Sequence, residues 1–130
     1  MNLVKPKIDG TRCLAEVTLS GVRLYNRRLF SITDRYPELA AALARGSQPC
    51  VLDGEIAVFL EGKPSFAALA KRDHLSDGLA IDYLARALPT SYVVFDILFS
   101  KEMSVMDLPL RERKQILQEE LQECTLDQLI

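Results

Sequence analysis

Lys5-Pro6-Lys7-Ile8-Asp9-Gly10-Thr11-Arg12 sets two lysines, an acid, a glycine and an arginine between two apolar runs. An amine in such a setting is a candidate covalent nucleophile. Nearby cations or apolar surroundings strip its proton readily, and only the neutral form attacks an electrophile. Asp9-Gly10 would tighten the chain beside Lys7, and Arg12 would hold an anion in a bidentate fork. The same residues also suit a hairpin whose Asp-Gly turn is flanked by solvated basic side chains, and a short pattern does not separate the two readings.

Two later segments add chemistry. From Cys50 to Leu60 the residues alternate, which predicts one long strand with Asp53, Glu55, Ala57 and Phe59 on one face and Leu52, Gly54, Ile56, Val58 and Leu60 on the other. Two carboxylates on one face of an apolar strand are costly to bury unless they are paired or line a wet cleft. Tyr92 to Phe99 is so uniformly apolar that it reads as a strand covered on both faces, with Asp96 as its one charged member. A lysine nucleophile, arginines for phosphate, two strand carboxylates and an aromatic beside an acid together suit attack on a nucleoside triphosphate.

Other elements must hold these groups in place. Arg12 to Leu19 alternates as a half-buried strand, with Cys13, Ala15, Val17 and Leu19 on one face. Ser20-Gly21 turns it into a second strand over Val22–Asn26. Ser31–Asp34 offers a capping side chain for a helix that starts near Tyr36-Pro37-Glu38 and stops at Gly46. Glu61–Pro64 makes a turn, and Ser65 caps a short helix over Phe66–Lys71. A further helix spans Gly78–Leu88, with Ile81, Tyr83, Leu84 and Leu88 on its apolar side. The last begins near Asp107, with Leu110, Leu117 and Leu121 as its buried stripe.

Composition sets the frame. A chain of 130 residues, 48% hydrophobic and 26% charged, is one ordinary globular domain and not a disordered segment. No membrane span or signal peptide is recognisable, which implies a cytoplasmic location. Cys13, Cys50 and Cys124 are widely spaced and form no C-x-x-C pair, so they read as reduced core thiols. His74, the only histidine, falls in the polar run Lys71-Arg72-Asp73-His74, which reads as a solvated loop. The net charge of -2 hides a basic head: residues 1 to 35 carry seven Lys/Arg against three acids. Such a head can serve a nucleotide's phosphates, although the whole is not a general nucleic-acid binder.

The order K-x-D-G-x-R, Leu52-Asp53-Gly54-Glu55, then Tyr92-Val93-Val94-Phe95-Asp96-Ile97-Leu98 resembles the nucleotidyltransferase motifs of ATP-dependent DNA ligases. The segment Leu108–Lys114 is similar to the helix that follows the aromatic strand in that family. The resemblance implies an α+β fold of mainly antiparallel sheets with flanking helices, a partial ATP-grasp-like nucleotidyltransferase domain. It also implies that Lys7 attacks the α-phosphate of ATP, expels pyrophosphate and retains AMP as a phosphoramide for sealing nicked DNA in repair, replication or recombination. Lys5, Pro6, Ile8, Arg12 and Arg27 would contact the nucleotide, Glu55 the ribose hydroxyls and Phe95 the adenine. Asp9, Asp53 and Asp96 would support the site; Asp53 and Asp96 would either orient a cation or satisfy backbone donors. Mg²⁺ is the implied metal, with no ligand residue assigned.

The chain departs from the family in places. The family commonly has Glu two residues before the nucleophile, where Lys5 stands here, and a cation at that position would depress the pKa of Lys7. Asn26, Arg28 and Leu29 surround Arg27 in place of the usual Ser and Gly. No downstream E-G or K-x-K motif and no oligonucleotide-binding barrel follows before Ile130. The expectation is that 1–130 is the N-terminal part of an adenylation domain, weak or inactive alone, with a second chain as a possible source of the remaining motifs. An RNA ligase or capping-type nucleotidyltransferase, and a non-catalytic nucleotide-binding or protein-interaction module, are the alternatives.

Overall fold

A computed structural model describes residues 10–46, 49–100 and 103–121. β1 (Thr11–Thr18) and β2 (Gly21–Tyr25) form an antiparallel hairpin closed by the pair Thr18–Gly21. The turn is therefore Leu19-Ser20, one residue earlier than the sequence suggests. Gly21 opens β2 at a φ of 148°, a backbone conformation that side-chain-bearing residues rarely adopt.

A single 3-10 turn at Thr33–Arg35 precedes α1 (Pro37–Gly46). Pro37 stands at the first helical position, where a missing N–H is no loss. Thr33, within the stretch expected to cap this helix, instead has its Oγ1 accepting the Leu24 N–H at 2.9 Å, which ties the turn to β2.

β3 (Cys50–Ala57) is shorter than expected. The alternation to Leu60 breaks at Val58, because Glu61 and Gly62, at φ of 52° and 80°, fold β4 (Phe59–Leu60) back onto β5 (Lys63–Pro64) as a small separate hairpin. The Ser65 Oγ then accepts the Ala68 N–H at 3.2 Å and starts α2 (Phe66–Asp73), as its position predicts. Asp77 does the same for Leu79 at the head of α3 (Gly78–Ala87). Ile81 is buried, but Tyr83 is 66% exposed, since a residue two positions along a helix from a buried one faces away. β6 (Ser91–Ser100), β7 (Met103–Ser104) and α4 (Leu110–Leu121) complete the described elements.

The main sheet runs β2-β1-β3-β6-β7, every pair antiparallel, so the fold is α+β as expected. One core face is formed by Cys13, Ala15 and Val17 of β1, Leu52 and Ile56 of β3, and Tyr92 and Ile97 of β6. Tyr36, Leu39, Leu43, Leu69 and Leu117 from the turn and helices pack against it. Burying each such leucine stabilises the fold by about 1.5–3 kcal/mol. Val93 and Phe95 of β6 are buried as well, so that strand is covered on both faces. Cys13 and Cys50 are buried core residues, and burial pushes the Cys13 thiol up to about 12; Cys124 lies outside the described residues. His74 is exposed at the end of α2, but Arg72 beside it is fully buried, contrary to the solvated reading of that run.

Gly54, between the two strand carboxylates, is required by close packing. A Cβ there would drive into the Val93 carbonyl oxygen and stand 2.9 Å from Tyr92 Cε1. Neither neighbour can yield, because Val93 is backbone of the paired strand. The Tyr92 hydroxyl is also fixed, donating to the carbonyls of Cys13 at 2.8 Å and Leu52 at 3.3 Å. Gly54→Ala is therefore expected to cost about 1–3 kcal/mol as an overpacked site, read by urea denaturation. An unchanged midpoint would contradict this packing.

Candidate functional site

The strand register assembles the site on the sheet face opposite the main core. Arg12 of β1 lies across from Glu55 of β3, and Leu14 across from Asp53. The Arg12 guanidinium leans along the sheet to Asp53, with Nε to Oδ1 at 2.6 Å and Nη2 to Oδ2 at 2.5 Å. This bidentate geometry is the strong form of a charge-assisted hydrogen bond. The hydrogen bond to Asp53 raises the Arg12 pKa, against a smaller opposing effect of burial.

Arg27 approaches from the loop that follows β2. Asn26 Oδ1 accepts the N–H groups of Arg28 and Phe30, both at 3.0 Å, and Leu29 turns the chain at a φ of 65°. The loop is closed by a bridge between Tyr25 and Ser31. Arg12, Leu14, Asn26, Arg27, Asp53 and Leu98 line a cavity of about 310 Å³. Two arginines thus share one hollow with an acid. Leu14, Asn26 and Leu98 were not among the residues expected from sequence to contact the nucleotide. An Asn before a turn is a recognisable loop-bracing signal, whereas nothing local marks the two leucines.

Glu55 Oε2 is buried and has no hydrogen-bond partner among the described residues. Such an oxygen is costly unless something donates to it, so it is a ready acceptor. A Cβ added to Gly10 would stand 3.4 Å from this oxygen and collide with the Ile56 carbonyl oxygen. The glycine of the basic motif therefore lets the chain pass directly against the Glu55 carboxylate. Lys5, Pro6, Lys7, Ile8 and Asp9 lie outside the described residues.

Phe95 and Asp96 occupy an irregular stretch of β6. Gly54 pairs with Val94 and Asp53 with Asp96, so the buried Phe95 is an extra residue with no opposite number in β3. Asp96 Oδ1 accepts from Arg113 Nε at 2.9 Å and from the Ile97 N–H at 2.8 Å. The first partner is a side-chain cation and the second a backbone donor. Among the described residues, no group of three or more His, Cys, Asp or Glu is arranged to hold a metal ion. No helix among them is long and apolar enough to cross a membrane.

Comparison with known proteins agrees with this arrangement. A probable DNA ligase of Koribacter versatilis is 39% identical over 116 residues, covering 88% of this chain and 20% of its own length. A probable DNA ligase of Streptomyces coelicolor is 41% identical over 113 residues, covering 85% of this chain and 22% of its own. The chain thus spans about a fifth of the curated relatives it matches. Among solved structures, mycobacterial DNA ligase D complexed with ATP and MES superposes with a TM-score of 0.75 at 26% identity, over 96% of this chain and 38% of that one. The family model described as the ATP dependent DNA ligase domain matches residues 1–127. By its ordered motifs, its fold and this match, the chain belongs to the ATP-dependent DNA ligase domain family.

Proposed function

We propose that the chain forms one wall of the nucleotide site of an ATP-dependent DNA ligase and that Lys7 is its nucleophile. The Lys7 amine attacks the α-phosphorus of ATP, a P–N bond forms, the P–O bond to the β-phosphate breaks, and pyrophosphate leaves. Arg12 and Arg27 face the phosphates and sugar from the cavity they share, and Asp53 holds the Arg12 fork at a fixed angle. Glu55 accepts from the ribose hydroxyls, and Phe95 packs against the adenine. Lys5, Pro6 and Ile8 complete the nucleotide contacts, and Asp9 and Asp96 act in support. Mg²⁺ shields the phosphate charge when bound.

The AMP then passes to the 5′-phosphate of nicked DNA. We place 1–130 as the N-terminal part of the adenylation domain, with the E-G and K-x-K motifs and the oligonucleotide-binding barrel supplied from outside it, in the same polypeptide or a second chain.

The observation that carries this reading is the buried Glu55 Oε2, without a hydrogen-bond partner among the described residues, beside Gly10 of the lysine motif. A ribose hydroxyl donating to an ionised carboxylate contributes about 1.5–3 kcal/mol, roughly tenfold to a hundredfold in affinity. Calorimetry should therefore find ATP bound at least about tenfold more tightly than 2′,3′-dideoxy-ATP. Glu55→Gln should erase most of that difference by weakening ATP alone. Equal affinity of the unaltered chain for the two nucleotides would remove the ribose role.

A further inference from the structure

We infer that Arg113 of α4 is a positioning residue for the nucleotide's base, acting through Asp96 on the bulged segment that carries Phe95. The inference rests on the nucleotide reading above. The register shift at Phe95 brings Asp53 and Asp96 directly opposite each other. Two like charges facing across antiparallel strands are destabilising. Here each acid has its own arginine from a different element, Arg12 of β1 for Asp53 and Arg113 of α4 for Asp96. The bulge is thus compatible with its two acids only while both arginines are in place.

Arg113 is itself held at its other end. Its Nη1 donates to the carbonyls of Met106 at 3.0 Å and Leu108 at 2.8 Å, in the segment that leads into α4. Its side chain and that of Asp96 are 18% and 17% exposed, so solvent screens the pair only weakly. One helical turn further on, Leu117 anchors α4 in the core. The clamp therefore joins a helix fixed in the core to the residue directly after Phe95. Bulges re-aim side chains, and this one is locked at the aromatic proposed to meet the base.

With Arg113 removed, Asp96 faces Asp53 with Arg12 as their one shared counter-charge among these four residues. The facing acids then push the bulge apart, and Phe95 loses its fixed angle.

The test compares ATP with inorganic triphosphate, which has no base, by calorimetry on the chain. Arg113→Ala is expected to weaken ATP about tenfold while leaving triphosphate within about twofold. Phe95→Ala should show the same pattern, and the double variant should lose little more than either single one. Arg113→Lys keeps the charge without the fork and should fall between. It also stands in if Arg113→Ala fails to fold.

Equal weakening of both ligands would mean a merely structural role and overturn the inference. So would unchanged ATP affinity in Arg113→Ala, or additive losses in the double variant. If the unaltered chain binds triphosphate but gains nothing from the base, the nucleotide reading fails and takes this inference with it. That outcome is distinct from normal ATP binding that is indifferent to Arg113.

Discussion

Incubated with ATP, Mg²⁺ and a ligase segment that supplies the E-G and K-x-K motifs, the chain is expected to gain the mass of one AMP, and Lys7→Ala is expected to gain none. Removing the nucleophile removes the covalent route itself, so the effect is all or nothing, where loss of a positioning or binding group lowers a rate by a finite factor. The described residues that follow the lysine motif suit this role. Arg12 is held in a bidentate fork by Asp53, and Arg27 lines the same hollow, so two guanidinium groups line the cavity proposed for the phosphates. Intact-mass measurement reads the outcome directly, and acid lability of the adduct identifies a P–N bond. An adduct that persists in Lys7→Ala would displace the nucleophile to another residue. ATP binding with no adduct even when the remaining motifs are supplied would mark it as a nucleotide-binding module.

The strands that carry the site were legible because their side chains alternate. Asp53 and Glu55 had to share a face whatever the partner strands were, and Cys13, Ala15 and Val17 had to face the core. Which residue would stand opposite was not legible. Arg12 faces Glu55 in register yet bonds Asp53, a choice made by side-chain reach across the sheet. The bulge at Phe95 was hidden for a simpler reason. A strand apolar on both faces has no period to interrupt, so an extra residue leaves no trace in the pattern. The break at Val58 was foreshadowed only by the Glu61–Pro64 turn, whose short hairpin takes Phe59 and Leu60 out of the long strand.

Charged residues were the least legible. Asp96 left two roles open, and its side-chain partner Arg113 lies 17 positions later on another element. Glu38 reads as an ordinary acid in the first turn of a helix. Arg72 falls in a polar run that looks solvated. In the fold these two are the centre of a buried cluster, and no local pattern announces a partner 34 residues away.

That cluster carries the largest expected effect on stability. Arg72 is fully buried and forks onto Glu38, with Nη1 to Oε2 at 2.7 Å and Nη2 to Oε1 at 2.9 Å. The same guanidinium donates to the carbonyls of Leu88 at 2.9 Å and Arg35 at 3.0 Å, and it lies 5.5 Å from the centre of the Tyr36 ring. Glu38 also accepts the Thr90 N–H and hydroxyl, at 3.0 and 2.8 Å. One arginine thus joins α1, α2 and the end of α3. Removing one partner of a buried pair strands the other charge, so Arg72→Ala is expected to cost about 3–5 kcal/mol. A neutral pair, Glu38→Gln with Arg72→Met, should lose much less, because no charge is left behind.

The pH dependence separates this account from simple loss of packing. Burial alone would raise the Glu38 pKa, but the hydrogen bonds from Arg72 and Thr90 outweigh it and hold the carboxyl below its ordinary range. A folded value below the unfolded one means that the stabilisation is complete above the ordinary glutamate value of about 4.3 and fades as pH falls through the folded value. In Arg72→Ala the buried Glu38 has lost its counter-charge and takes up a proton more readily on folding, so the deficit against the unaltered chain should shrink on acidification. Urea denaturation at pH 7 and at pH 4 measures both effects. A loss below about 1 kcal/mol at pH 7, or a deficit that does not change with pH, would show that the pair is not a structural support of the fold.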